Sequence, residues 1–411
     1  MSRRVAVTGL GVISPLGSDV TSFWSRLIQG ESGISRIEVF DPSSFATQIA
    51  GIVTDFHPEA YFEPKELRHM DRFVQFAVAA GKQALNHADL RITEQNAYRV
   101  GVSIGTGIGG IQTTLDNHKT MLEKGARRIS PFLIPMMIAN MGSAQLSIQL
   151  GAKGPNTTPV NACASGNNAI GEAFHLIRCG AADAMIAGGA ESPINELSFG
   201  GFCNMKAMST RNDEPQQASR PFDANRDGFV MSEGAGVLVL EEWEHAQARG
   251  ATILAEIVGY GQSADAYHIT APDPEGTGNA WAMKEALRDA GVQPEEVDYI
   301  NAHATGTPLG DGAEIKGIKR VFGQHAYKLK VSATKSATGH LFGAAGGLEA
   351  VITVKSLMDG MIPPTINYET PDPECDLDVV PNKAEASPIQ VAISNGFGFG
   401  GHNAVLVFKK V

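Results

Sequence analysis

The chain has 411 residues, 43% apolar and 19% charged, with 46 glycines; that is more than one hydrophobic core usually holds, so two domains or a large duplicated one is expected. A net charge of −11 argues against general nucleic-acid binding, which needs a phosphate-neutralising surface, and no apolar run approaches the length of a membrane span. The four cysteines, Cys163, Cys179, Cys203 and Cys375, lack CxxC spacing and are too sparse for a disulfide framework, which points to a reducing, cytoplasmic compartment.

In chain order, Ser2, Arg3 and Arg4 precede an apolar run in the manner of a secretory signal. Gly9 and Gly11 interrupt that run and no small-residue cleavage site follows, so it reads as a first strand. A helical pattern covers residues 73–88, and the strand-like RVGVSI leads into GTGIGG, Gly105 to Gly110. Those glycines match the dinucleotide fingerprint formally. The required second strand, ending in an acidic residue about 20 positions on, is absent from TTLDNHKTMLEKGARR. The glycines are therefore assigned to a turn with close backbone approach. Lys65 and Arg68 in PKELRHMDR, and Arg127 and Arg128 in GARRIS, form local basic clusters on an acidic chain.

PVNACASGNNAIGEAFHLIRCG follows, from Pro159 to Gly180. Ile170, Phe174 and Ile177 recur at helical spacing, which places Cys163 at or just before a helix N-terminus. Unpaired N–H groups and the helix dipole favour a thiolate there, below the ordinary value of about 8.5. Ala162, Ala164 and Gly166 leave room for a substrate. DANRDGFVMSEG resembles a calcium loop through Asp223, Asn225, Asp227 and Gly228, but its twelfth position is Gly234, with Glu233 one place early. It is read as a loop beside the site. Neither HExxH nor paired-cysteine spacing supports a metal centre at Cys163, His303 and His340.

Three strand-then-turn units recur in the second part of the chain. RRVAVTGLG, YRVGVSIGTGIGG and TPVNACASGNNAI are matched in order by LAEIVGYGQ, VDYINAHATGTPLGD and LKVSATKSATGHLFGAAGG. This predicts two halves, residues 1–250 and 251–411, each with a parallel sheet covered by helices such as residues 279–290. The Cys163 and His340 junctions would be counterparts meeting near the centre. His303 ends a strand, and His340, placed at the start of another helix, should be a neutral imidazole able to donate one hydrogen bond.

Four motifs, NACASG, NAHATGTPLGD, KSATGHLFGAAGGLEA and SNGFGFGGHN, resemble those of the β-ketoacyl-acyl-carrier-protein synthases, specifically the type II elongating enzymes, and the likeness runs from VAVTGLGVISPLG to AVLVFKK. The resemblance implies an α/β, thiolase-like, five-layered α-β-α-β-α fold in a homodimer. It implies an acyltransferase of fatty-acid elongation: an acyl group moves from acyl-carrier protein to Cys163, malonyl-acyl-carrier protein loses carbon dioxide, and the enolate attacks the acyl thioester. By the same resemblance His303 and His340 stabilise the enolate, Lys335 orients the site electrostatically, and Glu349 and Asp311 support this network. The N–H groups of Cys163 and Phe399 form an oxyanion hole, and Phe399, beside Phe397, is a gate moved on Gly398, Gly400 and Gly401. Thr305, Thr307 and Thr270 hold the phosphopantetheine arm, while Ile108 and Phe202 shape the acyl pocket. Lys65, Arg68, Arg127, Arg128 and Lys206 dock the acidic carrier protein, and His69 stands where a lysine is common. The resemblance implies no cofactor beyond the carrier's own arm and leaves open whether a structural monovalent cation sits near Asn301, Glu349 and Ser394. A thiolase using coenzyme A, a polyketide ketosynthase and a non-catalytic partner subunit are the competing readings; the last would lack the reactive cysteine.

Overall fold

A computed structural model describes residues 3–411; Met1 and Ser2 lie outside them. Strands β1 (Val5–Ile13), β2 (Val100–Gly105), β3 (Asn156–Thr157), β4 (Ala184–Glu191) and β5 (Gly234–Glu242) make the first half of the main sheet. Strands β6 (Ala255–Ala264), β7 (Tyr299–Asn301), β8 (Lys330–Ser332), β9 (Val391–Gly398) and β10 (His402–Lys409) make the second. The order is β8-β7-β9-β10-β6-β1-β5-β4-β2-β3. Each half repeats the same plan outward from the centre: two antiparallel pairings, then two parallel ones. The halves join where Val5 to Val7 pair with Ala255 to Ile257.

Helices build the layers. Between the half-sheets lie α3 (Ser165–Arg178) and α6 (Ala345–Asp359), each packed on strands of both halves. Outside the first half-sheet lie α1 (Arg72–His87) and α2 (Met141–Leu150), and outside the second lie α4 (Thr277–Ala290) and α5 (Pro308–Phe322). This is the five-layered α-β-α-β-α arrangement. Strand alternation feeds the cores on both sides of each sheet. Leu238 and Leu240 face the central core with Leu406 and Phe408, whereas Val237 and Val239 face the outer core of the first half, and Val405 and Val407 that of the second.

The expected parallel sheets are corrected to mixed ones. β9 and β10 form a hairpin closed by Phe399 to Gly401, with Gly400 and Gly401 at φ 82° and 73°; so tight a link permits only antiparallel pairing. Gly166 is also corrected. A Cβ there would lie 2.6 Å from the Gly347 backbone nitrogen, so the small residue lets α3 and α6 approach rather than making room for substrate.

The repeat resolves which residues correspond. Ala162–Ala164 and Phe342–Ala344 are both single 3-10 turns leading straight into α3 and α6. Ala162 and Phe342 take the same left-handed conformation, with φ 49° and 48°. Cys163 therefore corresponds to Gly343, and His340 lies two residues before that turn.

Candidate active site

Cys163 does not start the helix itself. β3 ends at Thr157, an extended loop follows, and the strained turn at Ala162 presents the sulfur just ahead of α3. Holding a non-glycine residue left-handed costs of order 1–3 kcal/mol and recurs at functional sites. The hydrophobic cluster around the cysteine includes Phe229, Met231 and Phe342, with Phe202 packed against it.

His340 Nε2 lies 2.9 Å from Cys163 Sγ, and the two histidine rings meet edge to face with centroids 5.4 Å apart. Lys335 Nζ lies 3.5 Å from His303 Nδ1 and makes a buried ion pair with Glu349. Because Lys335 brings donors to Nδ1, that nitrogen accepts, and the imidazole proton of His303 belongs on Nε2. Burial holds both imidazoles well below their usual range, and the Lys335 charge pushes each the same way. The neutral His340 expected from sequence is thus present for another reason: it sits in a loop five residues before α6, with its N–H on Val230 O. Burial pushes Glu349 up to about 7, against the pull of Lys335.

The expected thiolate is corrected too. Burial pushes the Cys163 thiol up to about 12, and Glu191 adds to the rise. Lys335 and the N–H groups of Phe399 and Cys163, which hydrogen-bond the sulfur, oppose it. Desolvation outweighs oriented dipoles here, so at rest a neutral thiol faces a neutral imidazole.

A cavity of about 420 Å³ joins this centre to the surface, lined by Cys163, His303, His340, Phe397 and Phe399 within, and by Thr270, Thr305, Thr307 and Lys206 along its length. Exposed Leu309 and Met205 stand at its walls. Thr307 Oγ1 caps α5 by accepting from Gly310 N–H at 3.3 Å and lies 3.1 Å from Thr305 Oγ1. Asp311, fully buried, accepts from Gly306 and Phe222 N–H at 3.1 and 2.8 Å and so holds the threonine turn. Burial pushes its carboxyl up to about 6, against Arg226. Ile108 and Phe202 are not on this lining; Phe202 stacks behind it on Phe342 and Phe399, at centroid distances of 5.0 and 6.4 Å.

Lys65, Arg68, Arg127, Arg128 and Lys206 are all exposed. His69 stacks on Phe132 at 3.9 Å, which holds the Lys65 and Arg68 segment against the one that follows Arg127 and Arg128. Lys206 stands apart at the cavity.

Two buried carboxylates escaped the sequence reading. Glu314 accepts from His303 and Ala304 N–H at 2.9 and 2.7 Å, fixing the backbone that carries the histidine. Glu191 accepts from Gly107 and Ile108 N–H at 2.6 and 3.1 Å. The glycine loop that mimics a dinucleotide site thus already spends its donors on a carboxylate of this chain. An acid closing the apolar strand AMIAGGAE was the available signal. The resemblance to a calcium loop has a similar explanation: Asp223 accepts from Asn225, Glu369 and Thr370 N–H.

A buried thiol against one neutral imidazole, with a second imidazole edge to face on the first, two backbone N–H groups on the sulfur and a channel to the surface, fits an acyl-transferring thiol enzyme built on the thiolase-like duplication. Residues 2–246 match the family described as "Beta-ketoacyl synthase, N-terminal domain" and residues 254–369 its "C-terminal domain". The chain belongs to the β-ketoacyl synthase family. It is 53% identical over 409 residues to a 3-oxoacyl-[acyl-carrier-protein] synthase 2 of Staphylococcus aureus (strain COL), covering 100% of this chain and 99% of that one. It is 54% identical over 408 residues to the protein of the same name from Synechocystis sp., covering 99% and 98%. Among solved structures, a β-ketoacyl synthase from Burkholderia phymatum matches with TM-score 0.92 and 38% identity over 100% of both chains. A type II PKS acyl-carrier protein in complex with its ketosynthase matches with TM-score 0.92 and 35% identity, again over 100% of both.

Proposed function

We infer that this chain elongates fatty acyl groups by decarboxylative condensation of malonyl-acyl-carrier protein with an acyl group held on Cys163. The observation that carries the reading is His340 Nε2 at 2.9 Å from Cys163 Sγ, at the inner end of a channel lined by threonine hydroxyls. The oxygen of the arriving thioester carbonyl accepts from the donors that meet the sulfur, the N–H groups of Cys163 and Phe399. As Sγ bonds to that carbon, its proton passes to the departing carrier thiolate, while His340 Nε2 keeps its own proton as a hydrogen-bond donor.

In the second step the bond to the malonyl carboxylate breaks and carbon dioxide leaves. The electron pair becomes an enolate whose oxygen is held by the N–H donors of His303 and His340, each worth about 10²–10³ in rate. The enolate carbon attacks the acyl carbonyl, the bond to Sγ breaks, and the released thiolate takes a proton from water. Burial, reinforced by the Lys335 charge, keeps both imidazoles neutral, so they donate without carrying charge of their own. A thiolase would use a second cysteine; His340 occupies that place.

The test is mass spectrometry of the protein after incubation with acyl-carrier thioesters of increasing length: an adduct on Cys163 is expected, and its absence defeats the reading. The carrier protein docks through Lys65, Arg68, Arg127, Arg128 and Lys206. The chain acts as a homodimer through the face around β3, an uncovered edge strand flanked by exposed Ile134, Ile148 and Val160. The four free cysteines fit a cytoplasmic enzyme, and we place the boundary between halves near residue 250.

Asn301 and Ser394 pair in register across β7 and β9, and α6, which carries Glu349, packs on both strands. The Asn301 amide, Ser394 Oγ and Glu349 Oε2 are buried without a hydrogen-bond partner among the described residues, so the donor set fits a monovalent cation. Bound there, it would offset the Glu349 charge.

A further inference from the structure

The second turn of the repeat has no sulfur, yet its N–H groups are not idle. Glu191, at the end of β4, is fully buried and takes no part in the reaction above. Its Oε2 accepts from Gly107 N–H at 2.6 Å and Gly343 N–H at 3.0 Å. Its Oε1 accepts from Thr106 Oγ1 at 2.8 Å and Ile108 N–H at 3.1 Å. Four donors fill the four lone-pair sites of an ionised carboxylate. Burial raises the Glu191 pKa and these hydrogen bonds oppose it; a protonated acid would aim its own O–H at a donor.

Gly343 N–H is the counterpart of Cys163 N–H in the repeat. At the first turn such a donor serves a substrate oxygen; at the second it holds an oxygen of the protein. The fit leaves no slack. A Cβ on Gly343 would lie 2.3 Å from Gly107 N, and one on Gly107 would lie 3.0 Å from Glu191 Oε2.

We propose that Glu191 is a positioning residue that sets the longest acyl chain Cys163 accepts, by clamping the Gly107–Ile108 peptide to the Phe342–Ala344 turn. This rests on the proposed function and on the family resemblance, which makes Ile108, off the lining of the surface channel, a wall of the acyl pocket. Ile108 is tied through its backbone, so the wall holds its place only while Glu191 accepts from that N–H.

Glu191→Gln separates the ties. Its amide nitrogen is tolerated on the Oε1 side, because the Thr106 hydroxyl can reverse and accept. Ile108 N–H then faces a donor and loses its partner, while Gly107 and Gly343 keep theirs. The wall is freed to retreat.

The experiment is a mass-spectrometric acylation ladder on the whole enzyme, using carrier thioesters from short to long chains, with Ile108→Ala alongside. For Glu191→Gln the ratio of long-chain to short-chain acylation is expected to rise about fivefold, the weight of one net hydrogen bond. An unchanged ratio, whatever the overall rate, overturns the clamp. If Ile108→Ala shifts the ladder and Glu191→Gln does not, the pocket reading stands and the clamp fails; if neither shifts it, both fail. Hydrogen exchange on the unaltered enzyme tests the tie without any variant. The amides of Gly107, Ile108 and Gly343 are expected to be protected together, and exchange at the rate of an open loop overturns the proposal.

Discussion

The two turns at the centre of this molecule share a backbone and differ in their chemistry. Ala162–Ala164 and Phe342–Ala344 have the same 3-10 form, the same strained first residue and the same position ahead of a central helix. One carries Cys163, whose N–H, with that of Phe399, meets the sulfur. The other carries Gly343 and has given its donor to Glu191. A duplicated scaffold therefore supplies a donor site twice, and the residue facing that site decides whether it becomes a reaction centre or a structural tie.

The sharpest way to break the comparison is to remove the sulfur. Cys163→Ala is expected to lower condensation by about 10⁴–10⁶-fold, as for loss of other catalytic nucleophiles; condensation at the parent rate would remove the distinction between the turns. Next comes the support beneath the reactive turn. Lys335→Ala leaves Glu349 buried without its partner and is expected to cost about 3–5 kcal/mol of stability, read by chemical denaturation. The structural turn can be challenged directly with Gly343→Cys. Its Cβ would lie 2.3 Å from Gly107 N, so a loss of about 3 kcal/mol is expected from overpacking, with no second site alkylated. A fully stable variant whose new cysteine accepts an acyl group would show the turns to be interchangeable.

The pH dependence sharpens the contrast between burial and dipole. A thiol reacts as its thiolate, and burial raises the Cys163 value to about 12. Alkylation of the resting enzyme by iodoacetamide should therefore keep rising with pH beyond the ordinary thiol range of about 8.5. A plateau in that range would mean that dipoles outweigh desolvation. The smallest effect is expected at the rim. Exposed charges are worth at most about 1 kcal/mol each, so Arg127→Glu should raise KM for carrier-bound acyl groups about fivefold and leave free pantetheine thioesters unaffected.

Much of the site was legible because its residues sit in short contiguous motifs. Cys163, His303, Lys335 and His340 each follow or precede a strand with small residues around them, a local pattern that survives in one dimension. The recurrence of strand-then-turn units was legible for the same reason. Glu191 and Glu314 were not, since a lone acid in an apolar segment reveals nothing until the N–H groups that face it come from other parts of the chain. The protonation state of the thiol was misread because a helix start is visible in sequence whereas the depth of burial is not. His340 illustrates the same limit: its neutrality was anticipated, but through a helix terminus rather than through burial beside Lys335.

By itself the amino-acid order determined the duplication, the choice of Cys163, His303 and His340 as the candidate centre, and the membership in a condensing-enzyme family, because each rests on residue type and local spacing. Only the tertiary structure decided that the sheet is mixed, that Gly343 rather than His340 matches Cys163, and that a buried carboxylate fills the second donor site. Those outcomes depend on which groups lose water and which find partners across the chain, and desolvation and pairing are properties of the packed molecule.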